Sequence, residues 1–231
     1  MRTRFQYRDT ILSIVCDDGM SGIVRDAVLE SWFILESKIG DDPFFGITYD
    51  PYPVMNSDHE MIRRMCSASQ SSGVGPMAGV AGAVAENVAR KLMEGGSSVA
   101  IVENGGDIAF YSEEPVSVGI FADHPVFRDV AFSISSDHMI GICSSSRTVG
   151  PSVSFGNSSI STVFSDDVIL ADCCATALGN MVTDVSSLQG SVETVGSIEG
   201  VTGCMACCDD KVAFFGDVPP MIPADCGNIT Y

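Results

Sequence analysis

The stretch "GPMAGVAGAVAENVARKLMEGGSSVAIVENGGDIAFY", residues 75–111, carries the alternation of elements that decides the fold. Pro76 suits the first turn of a helix, where its missing N–H has no partner to lose. The spacing predicts a helix over 77–94, and Gly95 with Gly96 ends it. Its early positions Ala78, Gly79, Ala81, Gly82, Ala83 and Ala85 are all small, so another backbone or a ligand can approach closely. "SVAIVE" then reads as a buried strand, and "NGGD" as a turn whose glycines leave backbone amides exposed.

Toward the amino terminus, "RFQYRDTILSIVC" (4–16) alternates polar and apolar residues on both sides of Arg8 and Asp9, as a hairpin does. From Ser21 to Ile39, Val24, Val28, Trp32, Ile34 and Leu35 recur near the helical period. "FFGITYDPYPVMN" (44–56) is expected to be a lid-like loop, followed by a short helix near 58–68. Beyond residue 111, strands are expected near 116–122, 130–135, 139–144 and 160–164, with the polar segment "CSSSRTVGPSVSFGNSS" between the last two. "FSDD" then opens a helix containing "ILADCCATALGN" (169–180), capped by Ser165 or Asp166. "SIEGVTGCMACC" and "DDKVAFFG" read as two further strands joined by an Asp-Asp-Lys turn, before a Pro-rich tail. The pattern is α+β with an antiparallel sheet, in a single domain over 1–231.

At 231 residues and 45% hydrophobic content, the chain has ample core for one large domain. Twelve basic against thirty acidic residues give a net charge of -18, which repels nucleic acid and anionic membrane surfaces. No apolar run is long enough to span a bilayer and the amino terminus lacks a secretory pattern, so a cytoplasmic protein is expected. A phosphate-bearing ligand would need its charge met locally, by a divalent cation or by helix amino termini. The nine cysteines are odd in number and carry no secretory context, so reduced thiols are expected. Cys204 and Cys207 form a Cys-x-x-Cys with no second pair at zinc spacing, and are read as small hydrophobes.

Chemistry centres on "ILADCCATALGN". Asp172 and Thr176 are four apart, which stacks a carboxylate and a hydroxyl on one helix face, an oxygen pair suited to Mg2+ or Ca2+. Spacing alone equally allows an exposed aspartate and a threonine bonded back into its helix. Between them Cys173 and Cys174 face different sides and are read as packing. "GVGPMAG" and "ENGGD" can offer amides to a phosphate, yet match neither the P-loop nor the dinucleotide fingerprint, and Asp107 either contacts a ligand or caps its turn. Nucleophile candidates are Cys143 and Ser144 to Ser146, with His138 close in sequence, but none lies in a Gly-x-Ser-x-Gly elbow. His59, His124 and His138 show no metal spacing.

Taken in order, "AGVAGAVAENVARKLMEGG", "VAIVENGGDI", "IGICSSSRTVG" and "ADCCATALGN" resemble the ApbE-like superfamily, whose best-known members are FAD:protein FMN transferases. The resemblance implies two intertwined α+β halves, a T-fold-like duplication, with FAD in the cleft between them. It implies a Mg2+ site at Asp172, Thr176 and a carbonyl near Ala78, and a nucleotide pocket lined by Gly105, Gly106 and Asp107 with Ser144 and Ser145 of the Ser-rich strand. There are departures: Ala81 stands where transferases carry a lysine, Ala83 where they carry an aromatic, and "TVGPSVSFGN" replaces their His-x-x-Asp-Pro-x-Thr-Gly segment. The chain is most similar to a short, cytosolic branch of the superfamily. Three functions are weighed: a flavin nucleotide held with Mg2+ for FMN transfer or FAD pyrophosphate cleavage; a non-catalytic flavin or metabolite binder serving a redox pathway; and a thiol redox protein. A homodimer is compatible with all of them.

Overall fold

A computed structural model describes residues 2–119, 127, 129–146 and 156–224. His124, the end of the strand expected at 116–122, all of "RTVGPSVSF" (147–155) and the end of the tail lie outside the described residues. Strands β1 (Arg2–Tyr7) and β2 (Thr10–Cys16) form the expected hairpin, with Arg8 at positive φ in the turn. Helices α1 (Ser21–Asp41), α2 (Glu60–Ser72) and α3 (Val80–Glu94) follow, then β3 (Ala100–Asn104) and β4 (Asp107–Gly119). The second part runs β5 (Val130–Ser145), β6 (Ile160–Ser165), α4 (Val168–Met181), α5 (Leu188–Gly196), β7 (Val201–Cys208), β8 (Lys211–Gly216) and β9 (Met221–Pro223). Each half therefore has the same order, two strands, helices, two strands. In each the strands flanking the helices pair antiparallel, β2 with β3 and β6 with β7. The β4–β5 pairing joins the halves into one antiparallel sheet ordered β1 to β8, with β9 added beside the start of β5.

Helices and sheet enclose a large apolar cluster that includes Leu12, Val28, Met65, Val88, Val102, Cys143, Cys173, Leu178 and Cys204. A second cluster on other residues of the same strands contains Phe110, Phe132, Ile142, Phe164, Met205 and Cys207. Alternation along each strand sorts side chains between the two, as Ile142 and Cys143 show. Among the described residues, no helix is long and apolar enough to cross a membrane.

Several elements differ from expectation. The strands expected at 130–135 and 139–144 are one, β5 running unbroken past an irregularity at Asp137 to Met139 with Ser136 paired to Ser112; the β4–β5 register shifts between Phe110 and Ser112 and again before Val116. The helix expected at 58–68 extends to Ser72, where Gly73 ends it at φ 77°. The helix expected to start at 77 is a short 3-10 turn, Pro76–Gly79, with the α-helix beginning at Val80. The cap of α4 is Asp167 rather than Ser165 or Asp166, since its Oδ1 accepts the Leu170 amide at 3.0 Å. Helix α5, which buries Leu188, Val192 and Val195, had no counterpart in the expected elements.

Candidate functional site

The small residues of α3 meet another backbone. A Cβ on Gly79 would lie 2.8 Å from Cys173 Sγ and 2.9 Å from Ile169 Cγ2, and one on Gly82 would lie 3.0 Å from both Asp172 Cβ and the Val168 carbonyl. On the side of α4 that faces the sheet, Gly141 of β5 admits Val168, whose Cα would be 2.7 Å from an added Cβ. Glycines on α3 and β5 thus clamp α4 from two sides and fix which of its residues face the interior.

The residue so fixed is Asp172, which is 5% exposed. Its Oδ2 accepts the Gly82 amide at 2.7 Å, satisfying a first-turn N–H of α3, a helix with no side-chain cap of its own. The reading of Asp172 as an exposed surface acid is thereby overturned. On the sheet Asp107, also buried, stands opposite Cys143 in the β4–β5 register and accepts the Ser144 amide, while the Cys143 thiol donates to the Val168 carbonyl at 3.6 Å. Burial and the Asp172 charge hold the Asp107 carboxyl well above the ordinary carboxylate range; the other charge acting on it, Glu103, has the same sign. Burial likewise pushes Asp172 up to about 7, against the lowering by the Gly82 amide. Two buried carboxylates, Asp107 on β4 and Asp172 on α4, thus lie close enough for the charge of one to raise the other.

The turn before Asp107 completes this side of the site. Gly105 and Gly106 have φ of 67° and 107°, as a two-residue hairpin joining Asn104 to Asp107 requires. The Gly106 amide already bonds Glu103 Oε1 at 3.0 Å, and Asn104 Nδ2 donates to the Ala81 carbonyl at 3.1 Å, tying the turn to α3. The two serines separate. Ser144 gives its amide to Asp107 while its hydroxyl pairs with Thr162 Oγ1 at 2.9 Å; Ser145, one residue on, shares the strand face of Cys143 and is buried. Ala78, in the turn packed on α4, and Thr176, one helical turn after Asp172, are both half-buried. Sequence reasoning missed Gly82 as a donor and the pairing of Asp107 with Asp172. Its signal was the Gly-x-x-Gly spacing of 79 and 82, read only as room.

The other candidates are not assembled. Cys143 is fully buried and its thiol is raised well above the ordinary value by burial and the Asp107 charge, the opposite of an activated nucleophile. His138 is exposed and bonds Asp137 and Asp166 rather than Cys143. His59 caps α2 through Nδ1, which accepts the Met61 amide. Cys204 and Cys207 sit in different apolar clusters on opposite faces of β7 and cannot share a metal. Among the described residues, no three Asp, Glu, His or Cys side chains are grouped to hold an ion, so any cation at Asp107 and Asp172 must draw further oxygens from hydroxyls, carbonyls or its ligand.

Comparison with known proteins agrees with this architecture. The chain is 40% identical to a UPF0280 protein of Methanocella arvoryzae over 96% of its length and 91% of that protein. It is 41% identical to a UPF0280 protein of Methanothrix thermoacetophila, over 96% and 94%. Among solved structures it is similar to the flavinyl transferase ApbE of Pseudomonas stutzeri in its apo form, with TM-score 0.62, 13% identity and 93% of each chain covered. It is also similar to the ApbE protein of Thermotoga maritima, with TM-score 0.64, 12% identity and 97% of each chain covered. At such identities the two structures speak to the fold alone. Residues 1–190 match the family model described as AbpE bacteria. The chain therefore belongs to this ApbE-like family.

Proposed function

We propose that the chain binds a flavin nucleotide, FAD, together with Mg2+ at Asp107, Asp172, Ala78 and Thr176. The observation that carries this reading is the burial of both Asp107 and Asp172, the latter fixed on the Gly82 amide, with each carboxyl raised above its ordinary range. Two carboxylates in low dielectric repel each other, and either a proton or a cation must neutralise them. The donor set, carboxylates with a hydroxyl and a carbonyl nearby, is hard oxygen and fits Mg2+. When bound, Mg2+ would supply charge neutralisation for a pyrophosphate that a chain of charge -18 otherwise repels. Asp172, fixed by Gly82, and Thr176 would hold the cation. Asp107 keeps the second carboxylate in register through the Ser144 amide, and the Gly105–Gly106 hairpin sets the wall beside them.

Whether FAD is cleaved or only held turns on Ala81. Where similar transferases carry a lysine, this chain presents a methyl group and a carbonyl engaged by Asn104, an arrangement that favours binding without transfer as the second reading. Ultrafiltration of the protein with FAD in Mg2+ and in EDTA tests both. Retention of flavin in Mg2+ only supports the first reading, and AMP in the filtrate assigns cleavage. Equal passage of flavin in both conditions would contradict the proposal.

A further inference from the structure

The contact that carries the Gly82–Asp172 bond is made by glycines. Gly79 lies against Cys173 and Ile169, and Gly82 against Asp172 and Val168, so advancing along α3 leads toward the amino end of α4. These contacts set how closely α4 approaches. Sliding of one helix past another is opposed by side-chain ridges seated in grooves, and a glycine offers no ridge. A slide of half a helical turn, about 2.7 Å, is enough to take the Gly82 amide out of hydrogen-bond range of Asp172 Oδ2, which it meets at 2.7 Å. Some other contact must hold the two helices in register.

Further along the same line stands Glu86, one turn after Gly82 on α3 and 2% exposed. Arg90 rests Nε and Nη2 on its Oε1. Its Oε2 faces Arg64 of α2, whose Nη2 is 2.8 Å from it and 3.0 Å from Asp167 Oδ2. One guanidinium nitrogen thus touches a carboxylate of α3 and the cap of α4, while the other oxygen of Asp167 accepts the Leu170 amide that opens α4. Arg64 is itself anchored, because Ile62, Met65 and Cys66 beside it on α2 are buried in the core. Charges taken out of water add little to stability, since desolvation offsets their attraction, but each must meet its partner and so they specify register. We propose that Arg64 is a positioning residue for the candidate site: by joining Glu86 to Asp167 it sets where α4 lies along α3 and keeps Asp172 on the Gly82 amide. Arg64 acts through these groups and touches no ligand. Its importance for function rests on the reading of Asp172 as a ligand-holding residue, whereas the bond it protects is present without any ligand.

Amide hydrogen exchange of the full chain, followed by NMR in EDTA, tests the proposal without flavin. Arg64→Met is expected to speed exchange of the Gly82 amide at least about tenfold while Val88 and Leu92 in the same helix exchange as in wild type. Arg64→Lys, which keeps a charge between the two acids, is expected to restore most of the protection. Because Arg64→Met leaves Glu86 buried with one partner fewer, Arg64→Met/Glu86→Leu is measured beside it; Gly82 is expected to exchange as fast there, at a Tm close to that of wild type. In MgCl2, FAD affinity is expected to fall about tenfold in Arg64→Met and to recover in Arg64→Lys. Wild-type protection of Gly82 in both Met variants, or faster exchange spread evenly over α3 in the double variant, would overturn the proposal. Absence of FAD binding by the wild type would overturn the flavin reading alone, and the Gly82 exchange would still decide the role of Arg64.

Discussion

At the scale of single residues, the site rests on what burial does to carboxylates. The Asp172 carboxyl is pushed up to about 7 by burial, and Asp107 is raised further by burial and by Asp172. The folded state thus holds protons that the unfolded chain releases near pH 4. The associated stability is present below that pH and is lost as pH rises toward about 7. In EDTA, the Tm of the wild type is expected to rise as pH falls from 7.5 to 5, and Asp172→Asn to flatten that dependence; a wild-type profile already flat would count against the buried pair. The thiols make a second case at this scale. The eight described cysteines are all buried, and Cys173 and Cys174 are raised, Cys174 to about 12. An aromatic disulfide reagent is expected to label at most one of the nine cysteines in native protein and all nine after unfolding, counted by mass spectrometry.

At the scale of elements, glycine contacts set the position of α4. Gly141→Ala would drive a Cβ to 2.7 Å from the Val168 backbone, which cannot swing aside, whereas Gly79→Ala meets side-chain atoms of Cys173 and Ile169. Gly141→Ala should lower stability by about 3 kcal/mol and Gly79→Ala by about 1 kcal/mol, a difference that thermal melts resolve at roughly 2–4 °C per kcal/mol. Reversal of that order would mean that α4 is not held as described. Much of this was legible in the sequence, because Gly-Gly and Pro mark turns by backbone demands and the apolar periods of α1, β3 and β7 are regular. The continuity of β5 through Ser136 to His138 was hidden, since polar residues there read as a turn and only pairing with β4 shows otherwise. Helix α5 was hidden because its apolar face is narrow, and its burial comes from packing on β7 and β8.

At the scale of the molecule, a duplicated strand order brings residues ninety positions apart into one bond, from Gly82 to Asp172. The sequence offered Asp172 with Thr176 as one oxygen pair and Asp107 separately beside the glycine turn, and only the joined halves bring the charge of Asp172 to bear on a buried Asp107. For the proposed anionic ligand, a chain charge of -18 requires that a cation act locally rather than as ionic strength. FAD affinity should therefore be higher in MgCl2 than in NaCl at equal ionic strength. The most direct measurement is calorimetric titration of FAD into wild type and Asp172→Ala, each in MgCl2 and in NaCl of matched ionic strength. Saturable binding that needs Mg2+ and disappears in Asp172→Ala is predicted. Equal affinity in both salts, or binding that survives in Asp172→Ala, would contradict the claim that the buried carboxylates hold a cation for the nucleotide.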